Sequence, residues 1–125
     1  LRSYCCSAQY GWKFPAGKAA NGEAIFDTAK RKVFEETGVT AQPDAIISLR
    51  HKVSKFNTDI GTYFFICLMH IDEEEEVKLA SCVIPEFFEA WWFTREELRM
   101  LDTKHFFYHH REVFVAYDDW LKITR

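Results

Sequence analysis

A fixed series of spacings between Gly17 and Val39 constrains this chain more than any other feature. Apolar residues recur there at the three- and four-residue intervals of one helix face, namely Ile25, Phe26, Ala29 and Val33. Gly38 follows directly after this stretch and is a typical residue for ending a helix. The segment therefore predicts a loop, one helix and a second loop.

Two acidic residues stand side by side near the end of the predicted helix. Glu35 and Glu36 place two carboxylates at one helix edge, and Gly17 lets the preceding loop approach an ion or phosphate closely. Mg²⁺ prefers hard oxygen ligands and keeps several waters, so two carboxylates and one carbonyl suffice beside substrate phosphates. We therefore predict a site for Mg²⁺ or Mn²⁺ at Gly17, Glu35 and Glu36 that neutralises a diphosphate. The alternative reading of the glutamate pair is a solvated helix face.

Two further charged residues are spaced to support these carboxylates. Arg31 lies one turn before Glu35 and can orient it through an i,i+4 contact. Glu23 precedes the helix, where a negative charge suits the helix dipole, and it can pair with Arg31. We expect Arg31 to act with Glu35 and Glu36 in the site and Glu23 to brace the loop.

The complete spacing, G-x5-E-x7-R-K-V-x-E-E-x-G-V, resembles the signature of the Nudix hydrolases, G-x5-E-x7-R-E-U-x-E-E-x-G-U, in which U is a bulky aliphatic residue. Eight of the nine fixed positions agree, over 23 residues. The likeness extends to residues 12–17 and 86–98. It implies an α+β fold, an α/β/α sandwich with a mixed β-sheet, and metal-dependent hydrolysis of a nucleoside diphosphate linked to another group.

A softer resemblance concerns one branch of this family. Residues 23–26, 47–51 and 63–68 are similar to the branch of the FGF-antisense Nudix protein and the plant ADP-ribose/NADH pyrophosphohydrolases. It implies ADP-ribose or NADH as the substrate class. Arg50 is a candidate for binding phosphate, with a plain basic patch as the alternative. Trp12 is a candidate for stacking on a base, although a core position beside the loop is favoured over that role.

The ninth signature position is occupied by Lys32, where the family has Glu. Lys32 lies four residues before Glu36, so we expect their side chains to meet on the helix surface. Our hypothesis is that the ammonium supplies part of the cation charge beside Glu36 and weakens metal binding. Two functions therefore stay open: a hydrolase, and a catalytically impaired nucleotide-binding or protein-interaction module.

The rest of the chain predicts alternating strands and helices. Strands are expected at residues 4–9, 11–14, 45–53, 62–71 and 87–93. Thr94 with Glu97 forms a capping-box pattern before a short helix, and a last helix is expected at residues 111–121. Only 16 residues precede Gly17, so either an N-terminal strand is missing or the first ten residues replace it.

Several other polar residues have weaker functional readings. The acidic run 72–76 is read as a solvated loop, and His109 and His110 as ordinary helix-start residues. Glu96 and Asp102 lie near the region where some family members keep a catalytic base. Glu89 is compatible with a role in the site and equally with a position that faces solvent.

Composition narrows the classes of protein that fit. Hydrophobic residues make up 48% of the 125 residues, which is enough for a core and fits one domain over residues 1–125. No apolar run approaches the roughly 20 residues of a membrane helix, and the net charge of −3 comes without a basic stripe for general nucleic-acid binding. The four cysteines lack zinc-type spacing and are read as reduced thiols of an intracellular, cytoplasmic protein. The expected partner is a small-molecule nucleotide, and a homodimer is compatible with the sequence.

Overall fold

The computed structural model describes residues 3–8, 12–53, 61–72, 89–101 and 112–124. Its elements in chain order are β1 (Ser3–Ala8), β2 (Trp12–Lys13), α1 (Ile25–Thr37), β3 (Gln42–Val53), β4 (Gly61–His70), β5 (Glu89–Thr94), α2 (Arg95–Met100) and α3 (Glu112–Thr124). Helices thus combine with strands, and the α+β prediction is confirmed. The acidic residues 73–76, Asp102, His109 and His110 lie outside the described residues.

The strands form two antiparallel groups. β1 is the central strand of the first, with β2 on one side and β5 on the other. The N-terminal stretch therefore supplies a strand of this sheet itself. β3 and β4 form the second group and pair from Gln42 opposite His70 to Val53 opposite Gly61. The resemblance implied a mixed sheet, whereas every strand pairing within the described residues is antiparallel.

Both reciprocal hydrogen bonds of the capping box predicted before α2 are present. Thr94 Oγ1 accepts a hydrogen bond from the Glu97 N–H, and the Thr94 N–H donates to Glu97 Oε1 at 2.9 Å. These bonds satisfy two backbone N–H groups that would otherwise lack partners at the turn from β5 into the helix. The box thereby fixes where Leu98 enters the core.

Apolar side chains gather around two fully buried residues. Leu98 is the centre of one cluster, which contains Trp12, Phe14, Phe93, Leu101 and Phe114. Val39, directly after α1, is the centre of the other, which contains Val33, Ile71 and Trp92. The two clusters anchor the segments that flank the signature, so its polar residues are carried on a fixed frame. No helix within the described residues is long and apolar enough to cross a membrane.

Candidate active site

Helix α1 carries most of the candidate site, and its two ends are fixed by different devices. Gly38 ends the helix in the left-handed region, with φ 76°, and its N–H donates to the Phe34 carbonyl at 2.8 Å. At the other end Ala24 offers no side-chain cap. Glu23 instead ties the loop to the helix start, because its Oε1 accepts hydrogen bonds from the Ala20 N–H at 3.0 Å and from Thr28 Oγ1 at 2.7 Å. The carboxylate therefore joins the loop to the first helical turn.

Arg31 links the loop and the helix through its guanidinium. Nε and Nη2 donate to the two oxygens of Glu23 at 2.9 and 3.0 Å, and Nη1 donates to both oxygens of Glu35 at 3.1 and 3.2 Å. Nη2 also donates to the Lys18 carbonyl at 2.9 Å. The planar fork holds two carboxylates and one backbone carbonyl at once, a geometry that a lysine cannot reproduce.

The ionisation of Glu23 reflects these contacts. Hydrogen bonds from Arg31, then from Ala20 and Thr28, lower the pKa of Glu23 from 4.5 to about 2. The same contacts with Glu23 and Glu35 raise the pKa of Arg31. Glu23 is therefore ionised at every pH at which the protein is expected to work.

We expect Glu23→Gln to reduce the acid sensitivity of folding. A carboxyl whose pKa is lowered in the folded state stabilises it fully above the unfolded pKa, 4.5 here, and loses that effect as the pH falls towards about 2. The melting temperature of the parent should therefore fall more steeply across this window than that of Glu23→Gln. Thermal unfolding from neutral pH downwards measures both slopes, and equal slopes would contradict the assignment.

Glu35 is the more accessible of the two adjacent glutamates. Its side chain is 28% exposed and contacts two cationic groups, since the Lys32 Nζ lies 3.3 Å from its Oε2 and Arg31 binds both oxygens. Burial raises the pKa of Glu35, but the hydrogen bonds from Arg31 and Lys32 outweigh that effect and the net pKa is lowered. A carboxylate is thus held ionised and oriented at the edge of the helix.

The ion pair of Lys32 corrects one expectation from the sequence. The ammonium was expected beside Glu36, but the structure pairs it with Glu35 at i,i+3. The reason is packing: a Cβ added at Gly17 would overlap Lys32 Cε and Cδ and lie 3.0 Å from its Nζ. The Lys32 stem therefore lies against Gly17, in space that a side chain there would occupy.

Glu36 has a different environment from its neighbour. It is completely buried, its Oε1 accepts from Lys13 Nζ at 2.8 Å, and its Oε2 accepts from the Ala16 N–H at 3.1 Å. The pair joins α1 to β2 and to the loop that leads to Gly17. A buried carboxylate needs such a charged partner because its desolvation is costly.

The family model that describes the NUDIX domain matches residues 1–116. This chain belongs to the Nudix family. Mouse "Nucleoside diphosphate-linked moiety X motif 6" is 51% identical over 41 residues, which are 33% of this chain and 13% of that protein. "Nudix hydrolase 8" of Arabidopsis thaliana is 35% identical over 96 residues, which are 69% of this chain and 25% of the relative.

A solved structure agrees with the Nudix fold. The NUDIX hydrolase from Nitrosomonas europaea has a TM-score of 0.65 and 22% identity, with 94% of this chain and 80% of that one covered. The likeness shows a shared fold. The Arabidopsis and Nitrosomonas proteins are hydrolases by name. The chain spans a quarter or less of the length of the mouse and Arabidopsis relatives above.

Nudix hydrolases generally use divalent metal ions, and the donor set of this Nudix box fits one at Glu35. Within the residues that the structure describes, no group of three or more His, Cys, Asp or Glu side chains is arranged to hold a metal. Mg²⁺, however, is commonly held by one or two carboxylates together with water and substrate phosphates. The ammonium beside Glu35 shows that the position accepts a cation. Ligand roles for Gly17, Glu35 and Glu36 stay predictions.

The two residues predicted to bind substrate lie in different surroundings. Trp12 packs on the Leu98 cluster, with its ring 4.7 Å from that of Phe93 in an edge-on contact. These contacts favour the core reading of Trp12. Arg50 lies on β3 and its Nε is 3.5 Å from a carboxylate oxygen of Glu112 on α3. Both substrate-binding roles remain predictions.

Sequence reasoning missed Lys13, although the Nudix box contained a signal for it. Trp12 and Phe14 both pack around Leu98, and alternation along an extended segment directs the intervening Lys13 to the opposite side. Glu36 follows Val33 by three residues, which places a charge next to the apolar stripe of α1. A buried glutamate at such a position calls for a cationic partner, and Lys13 was the lysine nearest in sequence to the box on its N-terminal side.

Proposed function

We propose that this chain hydrolyses the diphosphate of a nucleoside diphosphate linked to another group, with Mg²⁺ or Mn²⁺ and with ADP-ribose or NADH as the substrate class. The observation that carries the proposal is the Arg31 fork, which holds Glu35 ionised and part-exposed beside the Gly17 loop. The name of the mouse relative supports the general substrate class. A cytoplasmic homodimer belongs to the same proposal and rests on the sequence alone.

Each residue of the site has a separate task in this proposal. Glu35 would hold the divalent cation, which when bound supplies charge neutralisation and polarises water and phosphate oxygens. Arg31 keeps Glu35 in one orientation, and Glu23 fixes Arg31 from the loop side. Lys13 and Glu36 hold the Gly17 loop against α1. Arg50 is proposed to bind phosphate. Trp12 is only partly buried in the Leu98 cluster, and its remaining exposed part is proposed to lie against the base.

A second function is favoured by the contact between Lys32 and Glu35. The ammonium already neutralises part of the charge on the carboxylate that a metal would need. In that case the domain binds a nucleotide or a protein partner without turning a substrate over, because a fold does not by itself imply an activity.

Hydrolysis assays separate the two functions. ADP-ribose, NADH and nucleoside diphosphate sugars are incubated with Mg²⁺ or Mn²⁺ and the parent, Glu35→Gln or Lys32→Glu, and products are resolved by chromatography. We expect turnover by the parent and a loss of about 100-fold or more in kcat for Glu35→Gln, since the oriented ligand is removed. Asp119→Asn is the matched control, because Asp119 also forms an i,i+3 pair, with Lys122, on an exposed helix face.

The outcomes point in different directions. An equal loss in Asp119→Asn and Glu35→Gln would remove the support for a role of Glu35. A silent parent beside an active Lys32→Glu would favour the binding module on an intact fold. Saturable nucleotide binding without turnover in any variant would favour it as well.

A further inference from the structure

The Lys32 ammonium lies where the Nudix box is expected to hold its metal. Its Nζ is 3.3 Å from Glu35 Oε2 and sits over Gly17 on the other side, 3.0 Å from the place of a Cβ there. Glycine is what makes this position possible, because any side chain at Gly17 would meet the lysine stem. The tethered ammonium thus lies against Glu35 and close to Gly17, two of the residues that are predicted to bind the metal.

Charge and exposure make this ammonium a competitor for a divalent cation. Lys32 is 18% exposed and Glu35 is 28% exposed, so the contact is screened only in part by solvent. A divalent ion at the same carboxylate would face a like charge within a few ångströms, which is strongly unfavourable unless the lysine moves. Arg31 also binds Glu35, but its charge is shared with the Glu23 carboxylate, and its fork is held in place by Glu23 and the Lys18 carbonyl. Lys32 is therefore the cation that can move away.

We propose that Lys32 is a built-in occupant of the cation position, so that a divalent ion binds at Glu35 only by displacing its ammonium. The inference deepens the proposed function and rests on it for the class of cation. If so, the chain binds free metal ions weakly. The Lys32 side chain must also move away from Gly17 before a metal ion can occupy the site.

Binding of Mn²⁺ alone tests the inference. Free Mn²⁺ is followed by electron paramagnetic resonance during titration of the parent, Lys32→Met and Lys30→Met, without any nucleotide. Methionine keeps an unbranched apolar stem against Gly17 and removes the charge. Lys30→Met removes the same charge from the same helix two positions away, which controls for the change in net charge. Thermal unfolding confirms that each variant is folded.

We expect Lys32→Met to bind Mn²⁺ at least about tenfold more tightly than the parent, and Lys30→Met to stay within about threefold of it. The gain should vanish when Glu35→Gln is added to Lys32→Met, because the carboxylate for which the two cations compete is then absent. Equal affinities of the parent and Lys32→Met would overturn the inference, as would an equal gain in Lys30→Met.

A second measurement does not depend on a variant that folds. In the folded parent, Mg²⁺ should shift the NMR signals of the Lys32 side chain and the Gly17 amide together, with one midpoint. Shifts at Glu35 without any at Lys32 would overturn displacement. Both experiments omit substrate, so absence of turnover would count against the proposed function while leaving the metal result intact.

Discussion

Replacement of Lys13 by Met is expected to lower the free energy of unfolding by about 3–5 kcal/mol, because it takes the ammonium away from a buried carboxylate. Glu36 is completely buried, and the Lys13 Nζ lies 2.8 Å from its Oε1. The Ala16 N–H still donates to the other oxygen in this variant. A neutral backbone donor offsets the desolvation of a buried carboxylate much less than an ammonium does, so the folded state loses most of what the pair contributed.

Chemical denaturation of four proteins measures this effect. They are the parent, Lys13→Met, Glu36→Gln and the double variant, in which a neutral amide retains an acceptor for Ala16. We expect the double variant to be more stable than Lys13→Met, since no uncompensated charge is left inside. A Lys13→Met protein as stable as the parent would show that the Lys13–Glu36 pair does not stabilise the fold. A double variant less stable than Lys13→Met would contradict the prediction as well.

This experiment also bears on the metal prediction for Glu36. If Glu36→Gln folds and retains turnover while Glu35→Gln does not, the two adjacent glutamates have separate tasks. One then fixes the loop through Lys13 and Ala16, and the other faces the substrate. Retained turnover in Glu36→Gln would mean that Glu36 is not a metal ligand. Among the described residues, Glu35 would then be the one carboxylate of the predicted metal site.

Local patterns predicted the elements that hold the site. Helix α1 follows from its apolar period and from Gly38, and the capping box at Thr94 follows from the Glu three positions later. The contact of Arg31 with Glu35 was predictable for the same reason, because residues four apart on a helix are neighbours. In each case the interacting groups lie within one or two helical turns in sequence.

Contacts between distant segments could not be predicted in this way. The spacing of Lys32 from Glu35 and from Glu36 permits either pair, and the choice depends on the empty space over Gly17, fifteen residues earlier. The partner of Glu36 lies 23 residues away on another element. The central place of β1 in its sheet depends on β5, near the other end of the chain. Such pairings are decided by tertiary packing, which local propensity does not encode.

Arg31→Lys is expected to lower the free energy of unfolding by more than the replacement of a fully exposed ion-paired arginine does, because the Arg31 side chain is partly shielded from solvent. The guanidinium makes five hydrogen bonds, to Glu23, Glu35 and the Lys18 carbonyl, from a planar fork. A single ammonium keeps the charge but cannot reach all three groups together. The loop around Lys18 should therefore come loose from the helix and Glu35 should lose its orientation, so turnover should fall further than stability alone explains.

Arg99→Lys is the matched control for this change. Arg99 also forms an ion pair on a helix, with Glu96 at 2.8 Å, but both side chains are more than half exposed, so its replacement should change stability by less than about 0.5 kcal/mol. Denaturation gives the stabilities, and hydrogen exchange of the Ala20 amide, which donates to Glu23, reports on the loop. Similar costs for the two substitutions, or unchanged exchange at Ala20 in Arg31→Lys, would mean that the loop is held by other contacts. Faster exchange with a folded core would instead identify Arg31 as the residue that positions the Nudix carboxylate.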